Sequence, residues 1–223
     1  MGFDFAFGYP AEAGLPVGRA LCARLAAMVR DRPDGTNNRF EVAGRLNREI
    51  QATLAGDFEG PFWGHPAGGQ YPDLGPKRPR PFPLRIPDGR LVERRHGARG
   101  IQSPWKLFTR GAVGSQTLVG LPAVHRLLTD PALGPRARVW PFETAWDREI
   151  GEDAVVIAEM WPSLVDCSQQ PYSIKDECQV AAVRDWALDQ PSALARGLAR
   201  PPGLSDAEER LARETEGWIV EDV

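Results

Sequence analysis

The chain has 223 residues, a formal net charge of −3 and 42% apolar residues. That is enough chain for one sizeable core, and the charge gives no general attraction to nucleic acid or an anionic membrane. No apolar run is long enough to span a bilayer, and the start lacks the basic stretch and small-residue cleavage site of a secretory leader. Cys22, Cys167 and Cys178 form no Cys-x-x-Cys pair. A reducing, cytoplasmic setting is therefore expected, with each cysteine a small buried hydrophobe.

Gly2–Phe7 alternates Phe3, Phe5 and Phe7 with Asp4 and Ala6, the period of a strand. Gly8 and Pro10 stop it. Such an apolar run is expected in the sheet interior, parallel to the strand at Ala154–Met160, with all three rings mostly buried. A carboxylate among phenylalanines is costly to bury alone, which makes Asp4 the first candidate site residue.

Pro16 to Arg30 reads as a helix with Ala20, Leu21, Leu25 and Met28 on one face. Asn38 to Leu54 reads as a second, capped by Asn37 or Asn38. The character then changes. From Gly60 to Gly100, 16 of 41 residues are Gly or Pro, which forbids a long helix or central strand. Lys77 to Arg99 holds eight Lys or Arg against two acids, a local +6, so the rest of the chain carries −9. Residues 57–105 are thus expected to form a basic insertion, folded over an acidic host, within one domain spanning 1–223.

Regular structure resumes with a helix from Val113, interrupted or kinked at Pro122. Ala137–Glu143 reads as a short strand ending near Pro141. Ala154–Met160 reads as a strand buried on both faces. Ser173 to Leu188 forms a helix with Ser173 as cap and Val180, Val183 and Leu188 on its apolar side. A last helix starts at Ser205, where Ser205 and Glu208 fit a capping box. Strands alternating with helices predict an α/β fold with a mostly parallel sheet.

In such sheets ligands bind at the carboxyl ends of strands. Asp4, Glu143 and Glu159 are strand-end carboxylates that could hold Mg²⁺ or Mn²⁺ through oxygen ligands for phosphoryl chemistry. Lys106–Gln116 brings Arg110, Gly111, Gly114, Ser115 and Gln116 to a helix start, where free N–H groups and side-chain donors attract anions. Lys175, opening a helix, could balance Glu159 or hold an anion. Phe82, Trp63 and Trp105 beside the basic segment could stack on nucleic acid bases. His65, His96 and His125 lack metal spacing and read as loop or helix-surface residues.

The islands Gly2–Pro10, Gly111–Thr117, Val139–Glu143, Ala158–Ser163 and Lys175–Val180 together resemble an uncharacterised bacterial family. It is related to a domain-of-unknown-function family with a ribonuclease-H-like fold. Some members carry labels of cobalamin or molybdopterin cofactor biosynthesis. The resemblance implies that Asp4 is one metal ligand, that Glu159 is a strand-end acid and that Lys175 is a helix-start lysine of the site. It also implies an earlier strand with a further acid that this chain lacks, hence an N-terminally incomplete domain with an impaired site. The expected function is a metal-dependent phosphoryl or nucleotide hydrolase-like protein. The alternative is a non-catalytic module that binds an anion or nucleotide. The expected partner is a phosphate-bearing small molecule or nucleic acid, with no membrane.

Overall fold

The computed structural model describes residues 1–55, 59–97, 102–146 and 150–221. Residues 57–58 and 98–101 of the expected insertion lie outside these. The elements are β1 (Gly2–Phe3), α1 (Gly18–Met28), α2 (Arg39–Leu54), α3 (Leu91–His96), α4 (Val113–Thr129), β2 (Ala137–Val139), β3 (Val155–Met160), α5 (Lys175–Asp189), α6 (Pro191–Gly197), α7 (Asp206–Leu211) and β4 (Ile219–Val220). The α/β architecture matches the alternating pattern in the sequence. All strand pairings described are parallel, and β3 makes every one of them.

β3 is central because its Val-Val-Ile run can be buried on both sides. On one edge, β1 pairs Phe3 with Glu159. On the other, β2 pairs Val139 with Ile157 and β4 pairs Ile219 with Glu159. Glu159 therefore stands between Phe3 and Ile219, with β2 and β4 sharing the edge opposite β1. Ile157 faces a core built with α1, α2 and α4. Its neighbour Ala158 faces a second core containing Trp140, Trp146 and Trp218, as the period of two requires.

The first strand departs from expectation. It is an edge strand, pairing with β3 alone among the described strands, and it ends at Phe3, near the end of β3 at Met160. Phe7 is buried, while Phe3 and Phe5 are only half-buried. The three rings still pack on one another, with Phe5 stacked on Phe7 at 5.7 Å between centroids. Phe5 also lies over Gly120 of α4, where a Cβ would come within 2.4 Å of its ring.

The helices fall close to their expected bounds. Asn38 precedes α2 but does not cap it. Its side chain instead accepts from the Arg30 N–H at 2.7 Å and donates to the Met28 carbonyl at 3.1 Å, tying the end of α1 to the start of α2. α4 runs unbroken through Pro122; that residue is buried, so packing against α1 offsets the lost hydrogen bond. α5 shows the largest correction. It packs through Ala181 and Ala182, leaving Val180 64% and Leu188 72% exposed, and Ser173 does not cap it. At α7, Ser205 and Glu208 form the expected capping box.

The Pro/Gly-rich segment carries core residues. Phe62, Leu74, Ile86 and Trp105 join the first core, and Leu91 and Val92 the second. Its short helix α3 brings Arg90 against the carboxyl end of β3.

Candidate functional site

Two places gather chemistry. The first is the carboxyl end of the sheet. Glu159, alternate to the apolar Ala158 and Met160, points into a closed space with 1% of its surface exposed. Arg90, also 1% exposed, meets it in a two-pronged pair with both N···O distances 2.7 Å. The Trp161 indole N–H donates to the same carboxylate at 3.1 Å. Arg90 also donates to Glu93 and to the Glu216 carbonyl. The Glu216 carboxylate accepts from the N–H groups of Leu91 and Ala11. One buried guanidinium thus holds two carboxylates and a backbone carbonyl. Burial works against the charge on Arg90, but Glu159 and Glu93 outweigh it and keep it protonated. Burial raises the pKa of Glu159 against the opposing pull of Arg90, and it raises that of Glu216 against its two N–H donors.

Next to this network, His96 Nε2 lies 3.0 Å from Glu221, and the Trp218 indole N–H donates to the same oxygen at 3.3 Å. The His96 ring meets Trp161 edge-on at 5.6 Å. His96 is therefore packed among aromatics rather than standing on a helix surface. His65 is likewise packed, against Tyr71.

Asp4 follows β1 at the rim and is exposed. Lost solvation, then the charges of Glu159 and Asp176, push its pKa up to about 6. Lys175 and Asp176 open α5 and are exposed. The cation opposite Glu159 is Arg90 and not Lys175. Glu143 lies elsewhere in its bonding: Arg19 clamps it at 2.7 and 3.0 Å, and the Val139 N–H donates to it at 2.8 Å. Of the three expected metal ligands, Glu143 and Glu159 have their oxygens occupied by protein donors, which does not suit Mg²⁺ or Mn²⁺. Among the described residues, no three His, Cys, Asp or Glu side chains are grouped to hold a metal ion.

The second place is a groove of about 480 Å³ at the start of α4, lined by Phe108, Thr109, Gly111, Ser115, Gln116 and Arg39. Three residues expected for anion binding, Gly111, Ser115 and Gln116, thus converge there. Arg110, just before them in sequence, is exposed. Gly114 does a different job. A Cβ there would lie 2.5 Å from the Pro104 carbonyl oxygen and 2.8 Å from that of Lys106, so the residue is glycine for close backbone approach. The Gly114 N–H donates to Lys106, and those of Ser115 and Gln116 donate to Ala112, which removes most of the free amides expected at this helix start.

Arg39 makes up for them. It comes from α2, far away in sequence, and only the fold reveals it. Its Nε donates to Ser115 Oγ at 3.1 Å and its Nη1 to Asn37 at 3.0 Å, and the guanidinium sits 4.5 Å over the Phe40 ring. Among the described residues Nη2 has no hydrogen-bond partner, which leaves it to meet a ligand. Lys106 adds charge nearby, held by Gln102 and by the Arg110 carbonyl.

Among the described residues, no helix is long and apolar enough to cross a membrane. Against known protein families, curated proteins and solved structures, the chain finds no match.

Proposed function

We propose that the protein binds a phosphate-bearing small molecule, a nucleotide being the favoured class, in the groove between the starts of α2 and α4, without acting on it. The observation that carries this reading is the convergence of Arg39 with Gly111, Ser115 and Gln116 on one groove. An arginine fixed by side-chain partners and an aromatic face is pre-organised for phosphate oxygens. The positive end of a 17-residue helix adds to it. Phe108, 37% exposed beside it, offers a face for a base to stack on. The test is a calorimetric titration with pyrophosphate and with ADP. Binding lost in Arg39→Ala and weakened in Gln116→Ala supports the reading; equal binding by both variants and the wild type overturns it.

A second reading, a phosphoryl or nucleotide hydrolase on a ribonuclease-H-like fold, is favoured by Asp4. A carboxylate with a pKa near 6 at a strand's carboxyl end is poised to take a proton from an attacking water. Asp176 and Lys175 would then shape the rim. Phosphatase turnover abolished by Asp4→Asn supports this reading, and turnover unchanged by that substitution removes it.

A further inference from the structure

The strongest unassigned surface is a groove of about 440 Å³ between the turn after β3 and the later half of α5. Its floor is Leu164, Val165, Ala182 and Trp186, and Asp166 and Asp189 stand on its rim. Asp185 also borders it but is already paired with Arg184 at 2.6 Å. Val180 and Leu188, exposed on another face of the same helix, do not line it. The same chain exposes the opposite chemistry elsewhere. Lys77, Arg78, Arg80 and Arg85 are exposed, and Leu84 among them is 97% exposed. Arg78 is paired with Asp88, whereas Lys77 and Arg80 have no acidic partner among the described residues.

We propose that this groove receives a second copy of the same chain, with Leu84 of one copy seated on Trp186 of the other and Arg80 and Arg85 set against Asp166 and Asp189. Three arguments favour this occupant. The groove pairs an apolar floor with an acidic rim, and the loop pairs an apolar knob with basic flanks, so both parts of the contact are complementary. Pro81 and Pro83 restrict the loop before Leu84, which lowers the ordering cost of docking. The two surfaces are different patches of one molecule, so the contact is head-to-tail.

The test is sedimentation equilibrium of the whole chain at low salt and at roughly 1 M salt, where the screening length falls to about 3 Å. The wild type should exceed its 24.5 kDa monomer mass at low salt, increasingly so with concentration, and return towards it at high salt. Leu84→Glu, lacking the knob, and the double variant Asp166→Lys with Asp189→Lys, lacking the rim, should each be monomeric alone. Mixed, they should form a one-to-one dimer, since each retains the surface the other has lost. All three positions lie outside the core, so folding is not at stake. A wild type that is monomeric throughout, association untouched by Leu84→Glu, or a mixture that stays monomeric would each overturn the proposal.

Discussion

Arg90 and Glu159 are 69 residues apart and meet in a two-pronged ion pair with almost no exposed surface. The pair fastens the proline-rich segment to the end of the central strand. Removing one partner of a buried pair leaves an uncompensated charge and typically costs about 3–5 kcal/mol. Arg90→Met should reach that range, because Glu159 and Glu93 both lose their cation. Glu159→Gln should cost less, since Arg90 keeps Glu93. Urea unfolding of both variants checks the order; equal or reversed losses would contradict it.

Asp4 gives a pH dependence whose sign follows from its raised pKa. Its pKa rises from an ordinary 3.8 to about 6 on folding, so the folded state favours the protonated form. The penalty is absent below about pH 4 and grows as pH climbs through 6. Asp4→Asn should therefore raise the unfolding midpoint at pH 7.5 and leave it unchanged at pH 3.5. A gain that is equal at both values would refute this assignment.

The N-terminal phenylalanines should differ. Phe7 is 1% exposed, and Phe7→Ala should cost about 3–5 kcal/mol. Phe5 is half-buried, and Phe5→Ala should cost clearly less. Thermal unfolding separates the two.

Gly114→Ala should destabilise by about 1–3 kcal/mol, the usual cost of overpacking, because its new Cβ would press on the carbonyl oxygens of Pro104 and Lys106. A neutral effect in chemical denaturation would show that the 104–106 backbone gives way easily.

Much of the fold was legible because it follows from local periods. The Val-Val-Ile run marked β3, and apolar spacing marked α1, α2 and α4. What failed depended on tertiary partners. Alternation in Gly2–Phe7 could not show that β1 pairs with β3 alone, which makes it an edge strand. The stripe Val180–Val183–Leu188 on α5 was set aside by Ala181 and Ala182, whose small side chains permit close packing. Among site residues, Gly111, Ser115 and Gln116 were visible as a glycine-bearing helix start. Arg39 was not, since its place beside Ser115 is fixed by packing between helices 76 residues apart in sequence. The +6 charge of Lys77–Arg99 could not single out Arg90 as the cation that meets Glu159.

The reading of the α4 groove as the ligand site is tested most directly by mapping amide shifts in a ¹⁵N-labelled sample titrated with ADP. Saturable changes should centre on Arg39 and on Thr109 to Gln116, with Asp4, Trp161 and Lys175 unmoved. Changes centred instead on Asp4, Trp161 and Lys175, or none at millimolar ADP, would contradict it.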